Sequence, residues 1–348
     1  MSTLHSKYII IGAGLSGLTS ANQLQARGVQ DFKILESRAH IGGRIYTKEG
    51  IDLGATWFQN HHTYMLTVLE QLKLKSFSQF SAGKSILVYN SMAPAHYFES
   101  DQNSPAAQRI ANGSEALIQA LASGAQDKIT LNTRVTKITE NEDKIHIQTE
   151  KTAYTCDKLI VTIPPKLVKN IVFDPELPES LTQVLGKTHT WMSNAIKVGL
   201  TFKRPFWREQ GLSGTVISQI SEVTELYDHS NASENEFRLM GFVNEGLRDL
   251  TVSDRQERIL KYLEKYLGPE IRGYIHYEEK DWAADPNTSN DHLNSVYMSP
   301  SYGNPVFQKL YMHGKLVFSG TETATISGGY MDGAIHSGLQ AVALLNAK

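Results

Sequence analysis

Apolar and polar positions follow two different periods along this chain. Tyr8-Ile9-Ile10-Ile11 is an unbroken apolar run with three β-branched residues, the pattern of a buried strand. Apolar side chains then recur at Leu15, Leu18, Ala21 and Leu24, one face of a helix. Phe32-Lys33-Ile34-Leu35 predicts a second strand, closed by Glu36. A helix is expected from near Thr63 to before Lys75, and another through Leu121, opened by the turn Asn112-Gly113-Ser114. Ile129 to Leu131, Val135 to Ile138 and Ile145 to Ile147 alternate as strands, with Asn141-Glu142-Asp143 as a turn. Leu159 to Ile163 reads as a buried strand halted by Pro164-Pro165, with Cys156 before it. Residues 196–202, Arg238 to Val243 and Gly273 to Tyr277 predict strands of another sheet. Ser253-Asp254 predicts the cap of a helix that stops at Gly268-Pro269. Near the end, Leu316-Val317-Phe318 is a short strand running into a polar turn, and Gly328 to Ala334 opens a helix. There is no internal repeat and no low-complexity segment.

The first strand passes into its helix through Gly12-Ala13-Gly14-Leu15-Ser16-Gly17. Gly12 permits a tight turn, Gly14 lets backbone amides approach a pyrophosphate, and Gly17 lets the helix pack closely on the strand. The exposed amides and positive end of that helix form an anion site. Taken alone, three glycines at this spacing describe many ordinary turns. Joined to a strand, a helix, a second strand and Glu36 within about thirty residues, they point to a bound dinucleotide. Glu36 is placed to accept hydrogen bonds from both ribose hydroxyls. In Gly42-Gly43-Arg44 two positions lack side chains, and Arg44 can offer a bidentate cation to the pyrophosphate. A surface ion pair is the alternative for that arginine.

The length of 348 residues suits one large or two moderate domains. A net charge of -2 and no basic run argue against a nucleic-acid surface. The single cysteine, Cys156, excludes an intramolecular disulfide and suits a reducing compartment. The first strand begins by Tyr8, which leaves no room for a signal peptide, and no apolar stretch approaches membrane-span length. A soluble, cytoplasmic protein is therefore expected. His61-His62, His292 and His336 show no metal-ligand spacing, so no metal is expected. There is no nucleophile elbow and no lysine-bearing phosphate loop.

"LESRAHIGGRIYT" from Leu35 is similar to the second adenosine-binding segment of the flavin-containing amine oxidase family. Ile51 to Trp57 resembles that family's small-residue turn along the flavin. "GTETA" from Gly320 and "GYMDGA" from Gly329 resemble the pattern that closes its flavin site. The resemblance covers nearly the whole chain. It implies an α/β fold: a Rossmann-like FAD-binding domain of glutathione reductase type with an inserted α+β substrate domain. The cofactor domain would be discontinuous, from residues 1–76, 112–186 and 285–348, and the substrate domain would come from 77–111 and 187–284. Family members are usually longer. The missing length falls between about Leu74 and Ile110, where the family places a helical roof. A wider, more exposed site is expected, or one covered by a partner or second subunit, so a homo-oligomer stays open.

The same resemblance implies FAD contacts from Gly12, Gly14, Leu15, Ser16, Gly17, Glu36, Ser37, Gly43, Arg44, Gly54, Ala55, Thr56 and Trp57. The backbone near Val135 would touch adenine, and Trp282 would approach the flavin ring, a core tryptophan being the alternative. Gly320, Glu322, Gly329, Tyr330, Met331 and Ala334 would complete the site. Lys197, ahead of Pro205-Phe206-Trp207, resembles the lysine that binds a water beside flavin N5 and assists reaction with oxygen. A solvated lysine on a half-exposed strand is its alternative. Tyr330 matches a tyrosine that stands against the flavin face and guides an apolar amine, with a packing tyrosine as alternative. A second tyrosine would fall near Leu293-Asn294, and neither Tyr297 nor Tyr302 stands at matching spacing. No cysteine lies there either, so FAD should be non-covalent. The expected activity is hydride transfer from an amine carbon to flavin N5, with molecular oxygen as acceptor and hydrogen peroxide released. Two alternatives stay open: a flavoprotein oxidase or desaturase of a non-amine, and a flavin-binding protein with little turnover.

Overall fold

Strand β1 (Leu4–Ile11) sits inside a mixed sheet, parallel to both its neighbours, and sends alternate side chains to opposite faces. Tyr8 and Ile10 enter one core, and Ile9 and Ile11 enter the other. Such a strand must be apolar on both faces, which is why its sequence does not alternate. The computed structural model describes residues 4–90, 92–101, 104–141, 143–219, 221–289 and 302–347. Leu293-Asn294, Tyr297 and His292 lie outside these residues.

Helix α1 (Leu15–Ala26) follows β1 and leads to β2 (Phe32–Leu35), which pairs with β1 in parallel. On its other edge β1 pairs in parallel with β3 (Ala153–Val161). The far edge of β3 has two partners. Its first half pairs antiparallel with Lys144–Thr149, and Leu159–Val161 pairs in parallel with β4 (Leu316–Phe318). Helix α2 (Met331–Leu345) follows β4 and packs with α1 on one face of the sheet through Leu18, Leu24, Ile335 and Val342. The outermost parallel strand, Ile129–Thr130, lies beyond β2.

A second sheet has seven strands, in the order His276–Asp281, Ile196–Phe202, Phe237–Val243, Val223–Asp228, Leu212–Ser218, Lys84–Val88 and His96–Glu99. Ile259, Leu260 and Leu263 of the helix Val252–Leu267 pack against it. Every residue of Ile196–Phe202 is buried.

Local expectations needed four corrections. The helix at Val252 is capped by Thr251 rather than Ser253-Asp254. The Thr251 hydroxyl accepts from the Asp254 amide and donates to its carboxylate, which places the N-cap two residues earlier. The strand expected over Gly273–Tyr277 begins at His276 and runs to Asp281, because pairing with Ile196–Phe202 sets its ends. Cys156 lies within β3, not before it, and β3 stops at Val161. Between Ser76 and Ile110 the described residues form strands and no helix. Two of those strands extend the seven-stranded sheet in place of a helical roof.

Candidate active site

A cavity of about 550 Å³ opens at the carboxyl ends of β1 and β2, within the size range of small-molecule sites. Its wall includes Gly12, Gly14, Leu15, Ser16, Glu36, Ser37, Gly43, Arg44, Gly54, Ala55, Thr56, Trp57 and Val135. Lys197, Trp282, Gly320, Gly329, Tyr330, Met331 and Ala334 complete it from the distant segments. All but two of the expected contacts thus meet in one space. Gly17 is not on the wall. A Cβ there would lie 2.0 Å from the Gly12 carbonyl oxygen, so this glycine seats α1 on the turn. Glu322 is the other exception: it is buried and holds Arg44 instead.

Arg44 lies on the wall with a protein partner that the sequence did not reveal. Its two terminal nitrogens donate to the Glu322 carboxylate at 2.5 and 2.9 Å, and Nη1 also donates to the Trp191 carbonyl at 3.2 Å. The Arg44 side chain is partly exposed, and the buried Glu322 fixes its guanidinium through a charge-assisted bidentate pair. The bidentate edge is therefore used within the protein, and Nε with one Nη2 hydrogen remains for an anion.

At the opposite end, Glu36 is buried at the close of β2 and accepts from the amides of Ala13 and Arg38, both at 2.8 Å. Here sequence reasoning missed a clamp. Asn287 accepts from Ser37 at 3.0 Å and from Arg134 at 2.7 Å, while Arg38 donates to Asp285 and Thr288. These contacts join segments far apart in the chain, and no local pattern announces them.

The sheet of Ile196–Phe202 delivers Lys197 to the wall fully buried, which removes the solvated-lysine alternative. Its Nζ donates to the carbonyls of Asp52 and Gly54 and to the Thr56 hydroxyl, each at 2.8 Å. As an ammonium it directs all three hydrogens at these acceptors and presents its charge to the cavity. The Thr56 hydroxyl also lies 3.3 and 3.2 Å from the Asp52 and Gly54 carbonyls. It can accept from the ammonium, or turn and donate to the neutral amine, so both protonation states are satisfied without backbone movement. Burial pulls the lysine down to about 7, Asp52 opposes that fall and Arg109 adds to it.

Lys197 also lies 5.4 Å from the Trp57 ring centre and 5.0 Å from that of Phe242. Tyr227 meets Trp57 edge-on at 5.0 Å and, with Phe242, lines the cavity. Neither was expected. Phe242 faces Lys197 across the antiparallel pair, so the signal appears only once strand register is known. Tyr330 is 48% exposed on the wall, at the N-cap of α2. Trp282 is both core and wall: it is buried, and its indole donates to the Leu53 carbonyl at 2.8 Å. Tyr302 is off the wall, packed on Gly328 and Gly329 and donating to the His189 carbonyl. Among the described residues no three His, Cys, Asp or Glu side chains gather as a metal site. No helix among them is long and apolar enough to cross a membrane.

The residues fit a dinucleotide. Both α1 and α2 begin at the wall without a side-chain cap, so their first amides are open to an anion or carbonyl. A Cβ on Gly43 would come 3.3 Å from the Gly14 Cα, so two bare backbones face one another where a pyrophosphate would pass. Glu36→Ala would leave the Ala13 and Arg38 amides without their acceptor, at about 1–3 kcal/mol each. The flavin-to-protein ratio after gel filtration is expected to fall, and an unchanged ratio would contradict a ribose contact.

The family model described as flavin containing amine oxidoreductase matches residues 15–92 and 87–346. A flavin-containing amine oxidase of Danio rerio is 28% identical over 246 residues, covering 67% of this chain and 46% of its own length. The chain thus spans about half the length of that relative. A probable flavin-containing monoamine oxidase A of Dictyostelium discoideum is 23% identical over 451 residues, covering 98% of this chain and 97% of its own. Among solved structures, putrescine oxidase bound to putrescine superposes with a TM-score of 0.85 at 21% identity, over 98% of this chain and 99% of that one. Cyclohexylamine oxidase from Brevibacterium oxydans IH-35A does so at 0.85 and 19% identity, over 98% of each chain. With an α/β sheet that opens onto this cavity and a family match over most of its length, the chain belongs to the flavin containing amine oxidoreductases.

Proposed function

We propose that this protein is an FAD-dependent amine oxidase that holds its flavin without a covalent bond and passes electrons to molecular oxygen. One observation carries the reading: a buried lysine shares a wall with the uncapped starts of two helices drawn from opposite ends of the chain. FAD, when bound, supplies an electron-pair acceptor. The protein supplies position, dryness and charge. The amides opening α1 suit the pyrophosphate, and those opening α2 suit electron-rich carbonyls. Trp57, Tyr227 and Phe242 form an aromatic group on the wall, which Tyr330 also lines, and such a slot orients an apolar amine. The amine loses a hydride from its α-carbon and a proton from nitrogen to become an imine, which water converts to a carbonyl compound and ammonia. Oxygen then takes the two electrons with two protons and leaves as hydrogen peroxide, and the Lys197 cation favours that transfer. Cys156 is the single cysteine and lies buried in β3, with its thiol pushed up by burial, which supports a non-covalent flavin and a reducing, cytoplasmic setting.

The test is an anaerobic panel of amines mixed with purified flavoprotein. Bleaching of the flavin band, reversed by air with release of peroxide, is expected. Bleaching by dithionite but by no amine would overturn the proposal in favour of a non-amine substrate or a protein with little turnover.

A further inference from the structure

Among the described residues no carboxylate touches Lys197, although a buried cation normally requires one. The nearest layer behind it is Asp52. The carbonyl of Asp52 accepts directly from Nζ, and its carboxylate turns the other way into the protein, 1% exposed. There it accepts from the Thr47 hydroxyl at 2.6 Å, the Ser114 amide at 2.9 Å and the Ser114 hydroxyl at 3.4 Å. Ser114 is the N-cap of the helix Glu115–Ala122, so the positive end of that helix also favours an anion here. A neutral amide oxygen could accept the two shorter bonds as well, more weakly than the carboxylate does.

We propose that Asp52 is the positioning residue that sets the charge of Lys197, its main chain seating the amine and its buried carboxylate holding the proton there. The proposal deepens the flavin-oxidase reading of the cavity and rests on it. Arg109, from the strand Gln108–Ile110, opposes the proton, and Glu225, from Val223–Asp228, supports it. Arg109 is itself fastened to the carbonyls of Ser230 and His229 and does not pair with Asp52. His229 is fully buried and accepts from the Asp52 amide at 3.1 Å. Burial, together with Arg109, Lys197 and Arg238, keeps it neutral. Asp228 is bound by Trp207 and Arg208. The Asp52 carboxylate is the anion built into the same turn that seats Nζ. Burial also resists its ionisation, which makes the Thr47 and Ser114 donors part of the device.

The experiment titrates the Lys197 amine directly by NMR of protein carrying ζ-nitrogen-15 lysine, the signal being assigned by its loss in Lys197→Met. Asp52→Asn keeps the shape and both short hydrogen bonds but removes the charge. Its Lys197 midpoint is expected to fall by on the order of one pH unit, the scale of an opposite charge that is near but not in contact. The pH at which flavin reoxidation slows should fall by the same amount. Thr47→Val, at a half-buried position, weakens the hold on the ionised carboxylate and should move the midpoint the same way by less. A Lys197 midpoint unmoved in folded Asp52→Asn, or in Thr47→Val where the first variant fails to fold, overturns the proposal. A wild-type protein that stays colourless with FAD, or that no amine bleaches, sinks the flavin-oxidase reading instead, whatever the lysine titration shows.

Discussion

Lys197→Met is expected to slow the reaction of reduced flavin with oxygen by ~10²-fold, the scale of losing one preorganised electrostatic group in a dry site. Reduction of the flavin by amine should change little, because hydride departure from carbon needs orientation from the aromatic slot rather than a cation. The wild-type protein should also show a pH signature that the variant lacks. Its amine is charged below about 7 and neutral above, so reoxidation falls as pH rises through that value. The same group has a stability consequence of definite sign. Its folded-state value lies below its ordinary 10.5, so between those limits the unfolded chain binds more protons than the native one. Lys197 therefore makes stability rise with pH across that window, and methionine removes the slope. Stopped-flow measurement of the two half-reactions is the check. Equal slowing of both would remove the assigned role.

Gly17→Ala is expected to strip the protein of flavin and to destabilise it by roughly 3 kcal/mol, the upper range for a forced extra methyl group. The added carbon would sit 2.0 Å from the Gly12 oxygen and 3.1 Å from the Thr162 hydroxyl. The obstacle is mostly backbone, which cannot rotate aside. Helix α1 must lift, and the open amides of its first turn leave the cavity with it. Thermal unfolding and flavin absorbance after desalting would measure the two effects together. A variant that keeps full colour and an unchanged melting temperature would show that α1 seats in some other way. Gly14 differs from Gly17 here: a Cβ on Gly14 would meet its nearest atom only at 3.9 Å.

The glycine turn, its flanking strands and Glu36 were legible because each signal there is local: period, turn chemistry and a terminal acid fall within one short unit. The strand of Lys197 was legible as a strand, but its burial was not. Ile196–Phe202 is a middle strand, covered on both faces, and only the neighbouring strands reveal that. The Arg44–Glu322 pair and the Asn287 clamp join positions remote in sequence, so charge alone pointed Arg44 at a ligand rather than at a protein partner. Tyr227 and Phe242 look like ordinary strand residues until register brings Phe242 opposite Lys197. The helix cap was misplaced by two residues because Thr251 and Ser253 are both competent caps, and the contact with Asp254 decides between them.

The two-partner edge of β3 dictates an order of events during synthesis. Leu159–Val161 must wait for Leu316–Phe318 to leave the ribosome, while β1 and its glycine turn emerged long before. The growing polypeptide therefore exposes half of a nucleotide cradle whose far side, from Gly320 to Ala334, does not yet exist. The binding cavity is therefore completed only when the last segments of the chain have been made.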